Sequence, residues 1–328
     1  MTGRARVLSG MRPTGRVHLG NFLGALDNWV RLQAEFECFY FVADWHAFTT
    51  DIPGKGEIAA NTLEMAADWL GAGLDPERST IFVQSLVPEH AELHLNFSMV
   101  TPVSWLERVP TYKEMVEQLG MQSPSYGLLG YPLLQAADIL IYRPRHVPVG
   151  VDQPPHIELT REGARRFSQL FGPVLLEPDI KLTSIPKAPG TDGRKMSKSY
   201  DNAIYLADRT EVTVPKIKTM VTDLARKRRS DPGNPDVCLV FDLHRIFSPE
   251  PERARLAQGR RTAGIGCLDC KGVLLEHMVP PLQAIRERRD HMAARPDHLQ
   301  ELLREGSARA RRVASETLSE VMAAGGVA

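Results

Sequence analysis

The sequence has no excess of either charge. Its 328 residues include 40 Lys and Arg and 40 Asp and Glu, so the formal net charge at pH 7 is zero. Net charge therefore gives no support for a broadly basic, nucleic-acid-binding surface, and any basic patch must be local. The densest basic cluster is Arg226-Lys227-Arg228-Arg229. Such a cluster fits a solvated loop as well as a contact with a phosphate backbone, and the sequence leaves both interpretations open.

The chain also lacks long apolar runs and an N-terminal leader pattern. No run approaches the length of a membrane span, which is about 20 residues, and no charged, apolar and cleavable segments open the chain. We therefore expect a cytoplasmic protein that does not contact a membrane. Cysteine is scarce, with four in all: Cys38, Cys238, Cys267 and Cys270. In a cytoplasmic chain they favour thiols or metal ligands over disulfides.

Short apolar segments alternate with helical patterns in the first half of the chain. The segments predicted as strands are 6–9, 38–44, 79–85 and 147–149. Helical spacing of apolar residues covers 22–32, 56–72, 88–120 and 131–142, and another helix begins near 156. This alternation predicts the α/β class, with a doubly wound, Rossmann-like parallel sheet that binds ligands at the carboxyl ends of its strands.

Strand signals fade in the second half of the chain. Residues 173–194 are predicted as loop, and from about residue 210 every pattern is helical. The last helices are predicted at about 272–293, 296–305 and 307–323, which makes a C-terminal all-α region. The length allows one large domain and a smaller one.

One five-residue segment, Lys195-Met196-Ser197-Lys198-Ser199, offers two ammonium groups and two hydroxyls close together. It follows Gly190-Thr191-Asp192-Gly193, whose glycines predict a mobile loop. Such a loop suits a charged group with many oxygens, such as a triphosphate. By itself, Lys-x-x-Lys is more typical of a solvated basic turn, so its meaning depends on the rest of the chain.

The first predicted strand leads through a turn rich in Gly and Pro to His18-Leu19-Gly20-Asn21, where a helix begins. A strand, a tight turn and a helix N-terminus together present free backbone N–H groups to phosphate. The spacing is not G-x-G-x-x-G, and the lysine of a P-loop is absent. Taken alone, His18 is typical of a helix cap or a surface residue.

Asp138 is an acid within an apolar helical pattern. Tyr131, Gln135 and Asp138 are four and three residues apart, so they share one face of a helix. A buried carboxylate needs a partner. The sequence leaves two candidates, a nearby arginine such as Arg143 or a donor group on a ligand.

Taken together, these segments resemble the class I aminoacyl-tRNA synthetases, and most closely the tryptophanyl-tRNA synthetases. His18 to Asn21 is similar to the first signature of the family, and Lys195 to Ser199 matches the second. The tryptophan-type pocket segments resemble Ala136-Ala137-Asp138 and the stretch from Gly150-Val151-Asp152-Gln153 to His156-Ile157-Glu158-Leu159-Thr160-Arg161. The resemblance runs in register from Val7 to near the C-terminus.

The resemblance implies a tryptophan–tRNA ligase that activates L-tryptophan with ATP and Mg²⁺ and then charges tRNA(Trp). The implied catalytic residues are His18, Asn21, Lys195 and Lys198. The implied ATP-binding residues are Arg12, Pro13, Thr14, Gly20, Asn21, Gly150, Val151, Asp152, Pro186, Lys195, Met196, Ser197, Lys198 and Ser199. The implied tryptophan-binding residues, with Asp138 accepting the indole N–H, are Leu8, His46, Tyr131, Asp138, Val147, Val149 and Gln153.

The resemblance also implies the domain organisation and the assembly. Residues 1–200 would form the catalytic domain, which ends in the lysine loop, and residues 201–328 the helical region that binds the tRNA anticodon. A homodimer is expected. Two positions depart from the family pattern: Arg12 stands where glutamine is common, and Val151 stands where glutamate is usual.

One subgroup of the family carries a [4Fe–4S] cluster on four cysteines in its C-terminal region, and this chain resembles that subgroup. Cys238, Cys267 and Cys270 match three of the positions, whereas the second of the four falls at about Arg260, and no cysteine is there. His244 and His277 are the candidate substitutes. Because a Cys₄ site needs four thiolates, we expect a remnant set of thiols rather than a bound cluster.

Two alternatives remain beside the tryptophan enzyme. A tyrosyl-tRNA synthetase shares the fold and both signatures, but Ala136-Ala137-Asp138 and the segment from His156 to Arg161 argue against it. A related protein that binds tRNA without charging it is the other alternative. The complete segment from Lys195 to Ser199 argues against such a loss of catalysis.

Overall fold

A sheet of five parallel strands organises the N-terminal part of the computed structural model, which describes residues 3–49, 57–118, 120, 122–149, 154–182 and 188–327. The strand order is β3-β2-β1-β4-β5. The strands are β1 Arg6–Met11, β2 Glu37–Val42, β3 Ser79–Val83, β4 His146–Val149 and β5 Asp179–Leu182. The order reverses between β1 and β4, which creates the cleft where doubly wound sheets bind their ligands. The predicted α/β class is confirmed.

The prediction of loop for residues 173–194 is wrong at β5. This strand pairs with β4 in parallel, with His146 opposite Asp179 and Val149 opposite Leu182. Its four residues, Asp-Ile-Lys-Leu, alternate polar with apolar at the edge of the sheet. So short an alternation is too weak a signal to separate a strand from a loop.

Helices surround the sheet and continue to the C-terminus. Those that alternate with the strands are α1 Leu19–Asn21, α2 Asp27–Leu32, α3 Asp44–Phe48, α4 Glu57–Ala72, α5 Glu89–Val100, α6 Val103–Glu107, α7 Pro110–Gln118, α8 Tyr126–Leu140 and α9 Pro154–Phe171. A π-helical turn, Phe22–Leu26, joins α1 to α2. The C-terminal helices are α10 Thr210–Thr219, α11 Leu239–Phe247, α12 Glu250–Arg261, α13 Cys267–Ala293 and α14 Pro296–Ala324. Within the described ranges, none of the helices is long and apolar enough to cross a membrane.

Strand β2 is buried on both faces, which explains its continuous apolar run. Tyr40 and Val42 belong to the core on one side of the sheet, and Phe39 and Phe41 to the core on the other. Successive side chains of a strand point to opposite faces. On the first side, the ring of Trp29 stacks on Tyr40, with centroids 4.8 Å apart.

The helical C-terminal region packs directly on the sheet domain. The fully buried Asp68 of α4 accepts a hydrogen bond from Nε of Arg289 in α13 at 2.7 Å. The second oxygen of Asp68 accepts the Val17 N–H at 2.9 Å, just before α1. A buried ion pair with backbone support is satisfied at both oxygens. Helix α13 is therefore fastened to the segment that leads into α1.

Helix α14 passes beside the edge strand β3. Its leucines 299 and 303 join the first core, and its alanines 310 and 314 join the second. The prediction of a break near residue 306 is wrong, because α14 is continuous. Gly306 interrupts the sequence pattern for a packing reason: a Cβ there would lie 1.8 Å from the Ile81 carbonyl oxygen. The glycine permits this close approach of two backbones.

Gly306→Ala tests this contact. We expect the free energy of unfolding to fall by at least about 2 kcal/mol, because a methyl group there must displace the backbone of β3. Gly272→Ala in α13 is the control, since nothing lies within 4 Å of its added Cβ. That change should stabilise the protein by about 0.5–1 kcal/mol, the difference in helix propensity. Denaturant titration of both variants measures the two values, and equal stabilities would contradict the packing argument.

Candidate active site

His18 caps the N-terminus of α1. Its Nδ1 accepts the backbone N–H of Asn21 at 3.1 Å. Burial, followed by the nearby Lys198 and Lys195, lowers the pKa of His18 to about 4. The ring is therefore neutral at pH 7, and a neutral ring that accepts at Nδ1 carries its proton on Nε2. His18 thus keeps one N–H that a bound oxyanion can accept.

A short antiparallel pairing brings the segment after the lysine loop onto α1. The Leu19 N–H donates to the Ile204 carbonyl at 2.7 Å, and the Leu206 N–H donates to the Val17 carbonyl at 3.0 Å. His18 faces Tyr205 in this pairing. Both signature segments therefore lie together at the carboxyl end of β1.

The lysine loop itself contacts the first signature. The sulfur of Met196, which is buried, accepts the Gly20 N–H at 3.3 Å. Nζ of Lys198 lies 3.4 Å from the Thr14 hydroxyl. Burial lowers the pKa of Lys198 to about 8. The charge of Asp68 opposes this shift, and the charge of Arg12 adds to it. Positive side chains and a neutral histidine at a helix N-terminus favour a polyanionic ligand.

Asn202 holds the lysine loop in shape, and sequence analysis missed it. Its Oδ1 accepts the Ser197 N–H at 2.8 Å, and its Nδ2 donates to Asp192 at 2.7 Å and to the Lys195 carbonyl at 3.2 Å. A Cβ on Gly190 would lie 2.2 Å from Nδ2 of Asn202, so this glycine serves a close approach. A single amide three residues beyond the signature carries no periodic signal.

Asp138 is fully buried in a cage of donors. Oδ2 lies 2.8 Å from His46 Nε2, and Oδ1 lies 2.6 Å from His90 Nδ1. Nε2 of Gln84 donates to both oxygens, at 2.8 and 2.9 Å. Burial raises the pKa of Asp138, but the hydrogen bonds from His46 and His90 outweigh it and hold the pKa well below its usual range. The group is an ionised carboxylate.

The alternative prediction, that Arg143 is the partner of Asp138, is wrong. Arg143 lies beyond the end of α8 with a φ of 49° and pairs with Glu320 of α14 at 2.6 Å. Gln84 and His90 were missed. Gln84 follows β3 directly, so the rule for the carboxyl ends of strands could have found it. The sequence of α5 gives no such signal for His90.

Tyr131 lies beside this cage. Its ring meets that of His46 edge to face, with centroids 6.2 Å apart. Its hydroxyl donates to Thr111 Oγ1 at 2.8 Å, and this oxygen lies 2.8 Å from His156 Nε2. Thr111 was not predicted. Leu8 and Val147 are buried in the core on the same side of the sheet as Ala137.

The structure thus brings together two groups of predicted residues. Around the start of α1 lie Thr14, His18, Gly20, Asn21, Met196, Ser197 and Lys198. Around the carboxylate lie His46, Tyr131 and Asp138. Arg12 is exposed next to the buried Pro13, and Lys195 and Ser199 are exposed on the loop. The predicted residues outside the described ranges are Gly150, Val151, Asp152, Gln153 and Pro186, and Val149 is described by its backbone alone.

The basic cluster at 226–229 fits neither sequence interpretation completely. Arg226 is buried, and its guanidinium donates to the carbonyls of Arg229 at 2.7 Å and Ile265 at 2.8 Å. The other three side chains are exposed. Arg226 is therefore a structural residue that supports the loop before α13.

The three C-terminal cysteines open two helices. Cys238 precedes α11, and Cys267 and Cys270 lie in the first turn of α13. Arg260, near which the resemblance would put the missing cysteine, is fully buried. Its guanidinium cannot coordinate a metal, because it has no lone pair to offer and stays protonated. Of the described side chains, no three His, Cys, Asp or Glu are placed to hold one metal ion. The residues present do not fit a Cys₄ cluster.

His244, one of the two candidate substitute ligands, lies with Nε2 3.4 Å from the Cys270 sulfur but also has oxygen partners. Its Nε2 lies 3.1 Å from the Cys270 carbonyl oxygen, to which it donates, and its Nδ1 lies 2.7 Å from the Ser248 hydroxyl. Both ring nitrogens are therefore engaged within the protein. The site offers a guanidinium in place of a fourth ligand, and His244 does not restore one.

Comparison with known proteins agrees with this geometry. Residues 1–280 match the family model described as class I tRNA synthetases (W and Y). The chain therefore belongs to the class I tRNA synthetases of the tryptophan and tyrosine group. It is 51% identical to the tryptophan–tRNA ligase of Thermotoga maritima, over 96% of this chain and 97% of that protein. It is 41% identical to the tryptophan–tRNA ligase of Aquifex aeolicus, over 96% and 98%.

A solved structure is similar over the whole chain. The tryptophanyl-tRNA synthetase of Campylobacter jejuni, complexed with ADP and tryptophan, has a TM-score of 0.89 and 34% identity, covering 98% of this chain and 100% of that chain. The tyrosyl-tRNA synthetase of Archaeoglobus fulgidus has a TM-score of 0.68 at 22% identity, which shows a common fold. The particular relatives at high identity are thus tryptophan enzymes.

The lowered pKa of Lys198 predicts how nucleotide binding depends on pH. The side chain is charged below a pH of about 8 and neutral above it, so affinity for ATP should fall by up to about tenfold per pH unit above that value. Lys198→Arg stays charged and should move this fall to higher pH. The control, Lys218→Arg at the exposed end of α10, should leave it in place. Calorimetric titration from about pH 6.5 to 9.5 decides, and an unmoved fall in Lys198→Arg would contradict the assignment.

Proposed function

We propose that this protein is a tryptophan–tRNA ligase. The observation that carries the proposal is the contact of the lysine loop with the N-terminus of α1, through Met196 with Gly20 and Lys198 with Thr14. It joins the two phosphate-binding segments of a chain that belongs to this family. Support for tryptophan comes from relatives at 41–51% identity over nearly the whole chain and from the similar complex with ADP and tryptophan.

The proposed reaction begins with attack of the tryptophan carboxylate on the α-phosphorus of ATP. The P–O bond to pyrophosphate breaks, and tryptophanyl-adenylate forms without a covalent enzyme intermediate. The protein contributes position and charge rather than proton transfer. His18 donates a hydrogen bond from Nε2–H to a phosphate oxygen next to Asn21. Lys195 and Lys198 neutralise the β- and γ-phosphates of the ATP–Mg²⁺ substrate, and Ser197 adds a hydroxyl donor.

The second step transfers tryptophan to the terminal adenosine of tRNA(Trp), at the 2′-hydroxyl first. The adenylate phosphate leaves as AMP, so the ester forms at the expense of the mixed anhydride. The remaining nucleotide contacts are proposed from the family alone. They comprise Arg12, Pro13, Thr14, Gly20, Gly150, Val151, Asp152, Pro186, Met196 and Ser199.

Asp138 is proposed to recognise the indole N–H. A carboxylate offers about four acceptor positions, and His46, His90 and Gln84 take all of them here. His46 has the most exposed of these side chains, at 9%. The indole therefore has to share or replace the His46 hydrogen bond at Oδ2. Phenylalanine has no such donor, so it leaves a buried acceptor poorly paired and is rejected.

The other proposed tryptophan contacts surround that carboxylate. Tyr131 and Gln153 would bind the α-ammonium group, with the Tyr131 hydroxyl already oriented by Thr111. Apolar and edge contacts to the ring would come from Leu8, His46, Val147 and Val149. Because the hydroxyl of Tyr131 donates to Thr111, its oxygen is available to accept an ammonium N–H.

Pyrophosphate exchange into ATP tests the proposed function. We expect exchange that depends on tryptophan and is not driven by tyrosine or phenylalanine. Exchange driven by tyrosine alone would replace the proposal with the tyrosyl enzyme. Charging of tRNA(Trp) is measured on the same preparation. Exchange without charging would identify a protein that activates tryptophan but does not transfer it to tRNA.

The same assay tests Asp138. In Asp138→Asn, the amide nitrogen cannot accept, so kcat/KM for tryptophan should fall by about 100-fold or more, which is about 2.7 kcal/mol. Asp27→Asn is the control, since Asp27 pairs with Arg31 on the surface of α2, and it should change kcat/KM less than about twofold. A normal rate in Asp138→Asn would remove the carboxylate from the pocket.

The domain organisation of the chain is also proposed. Residues 1–200 would carry the catalytic domain and 201–328 the helical region that contacts the anticodon of the tRNA. Support comes from the helical character of the chain beyond Thr210 and from the exposed Lys227, Arg228 and Arg229, which suit a phosphate backbone. A cytoplasmic location follows, since charged tRNA is consumed in protein biosynthesis.

We place the chain near the subgroup that can carry an iron–sulfur cluster, with Cys238, Cys267 and Cys270 as the remnant of its cysteine set.

A homodimer is proposed from a cluster of exposed apolar side chains on α3, α5, α6, α8 and the turn after β3. They are Phe48, Leu86, Leu95, Met99, Val103 and Tyr126. Exposure of this many large apolar groups on neighbouring elements marks an interaction surface. A second copy of this chain is the occupant that an isologous interface requires, so that one tRNA could contact both subunits.

Sedimentation equilibrium measures the assembly. We expect a mass of twice 36.5 kDa for the wild type. Met99→Glu, at a side chain that is 74% exposed, should raise the dimer dissociation constant at least about 100-fold, because the charge would be buried in the interface. Leu224→Glu, at a side chain that is 82% exposed and lies outside the cluster, should leave the mass unchanged. A wild-type mass of 36.5 kDa would contradict the proposal.

A further inference from the structure

Arg260 is a buried cation without a conventional partner. The residue is 0% exposed, and Nε, Nη1 and Nη2 make no hydrogen bond to an oxygen or nitrogen of the described residues. A guanidinium keeps its proton inside a protein. An uncompensated buried charge costs several kcal/mol. The surroundings of Arg260 must therefore supply the compensation.

Three cysteines lie near this guanidinium. Cys238, Cys270 and Cys267 interact with Arg260 electrostatically, as do Asp223, His244 and Lys271. Cys238 and Cys270 are 1% and 0% exposed. Thiol sulfurs accept hydrogen bonds weakly, and three of them around one cation give it a polarisable environment.

The other polar groups of the region have different tasks. The carboxylate of Asp223 accepts the backbone N–H groups of Asn234 at 2.8 Å and Ala225 at 2.9 Å. Nζ of Lys271 donates to the carbonyls of Lys218 at 2.7 Å and Met220 at 2.6 Å. In the described part of the chain, neither group forms an ion pair with Arg260. The Cys267 sulfur also lies 3.9 Å from Nη1 of Arg226, and the Cys270 sulfur 3.4 Å from Nε2 of His244.

We infer that the Arg260 guanidinium replaces an iron–sulfur cluster as the centre that joins α11, α12 and α13. Arg260 lies in the last turn of α12, Cys238 begins α11, and Cys267 and Cys270 begin α13. The same three helix ends that four thiolates would tie to one cluster here converge on one side chain. In this arrangement the three cysteines lie near the guanidinium, and the chain folds without iron. This inference does not depend on which amino acid the enzyme activates.

Arg260→Cys tests the replacement directly, because it completes four cysteines at positions 238, 260, 267 and 270. Both proteins are produced with an iron–sulfur assembly system and purified anaerobically. We expect less than about 0.1 iron per chain in the wild type, and about four iron and four sulfide in Arg260→Cys. The variant should also show a broad absorption near about 400 nm that dithionite bleaches, a signature that a purely structural change would not produce.

Arg261→Cys is the matched control. Its side chain is 57% exposed and faces Asp236, so the added thiol should bring no iron. About four iron and four sulfide in the wild type would overturn the inference. A folded Arg260→Cys protein that stays free of iron after reconstitution would also overturn it, since position 260 would then not be a ligand position.

A measurement on the wild type alone covers the case in which Arg260→Cys does not fold. Wild-type protein made with and without an iron chelator in the medium should have the same Tm to within about 1 °C. A lower Tm after chelation would overturn the inference.

Discussion

The buried carboxylate of Asp68 connects the proposed phosphate site at α1 to the C-terminal helices. One oxygen accepts the Val17 N–H and the other pairs with Arg289. Burial raises the pKa of Asp68, whereas the hydrogen bond from Val17 and the charge of Arg289 act to lower it. Because the next residues pair with the strand-like segment after the lysine loop, the position of α1 depends on contacts from both halves of the chain. The geometry of the proposed nucleotide site therefore depends partly on α13, which belongs to the helical region.

Two buried ions in this protein are satisfied in opposite ways. Asp138 is held by hydrogen bonds from two histidines and a glutamine, so its charge is both paired and oriented. Arg260 has no oxygen acceptor among the described groups and lies among sulfurs. The first arrangement has the donors and direction that ligand recognition needs. The second has no access to solvent and suits a structural centre.

Much of the fold could be predicted from the sequence because periodicity reports burial directly. The run from Cys38 to Ala43 is apolar at every position, since β2 packs on both faces, and only a central strand has that requirement. β5 could not be predicted in this way, because four residues at an edge alternate too briefly. Gly306 misled the prediction for α14, since a glycine that admits a neighbouring backbone looks the same in sequence as one that ends a helix.

The candidate site also has one part that the local sequence indicates and another that only the tertiary structure shows. His18 and Asn21 stand out in the sequence because they lie where a strand, a turn and a helix meet. The lysine loop stands out because its charged and hydroxyl residues are contiguous. The partners of Asp138 come from three separate elements, and only the tertiary structure decides that His90 rather than Arg143 reaches the carboxylate. Asn202 is similar, since its role depends on the path of a loop.

The position of α14 has a consequence for solubility. β3 is an edge strand, and an unpaired edge offers its N–H and C=O groups to any other strand, which favours aggregation. Here the Ser307 hydroxyl accepts the Val83 N–H at 3.2 Å, and Gly306 lies directly against the Ile81 carbonyl. The last helix thereby closes this side of the sheet to strand addition from another molecule.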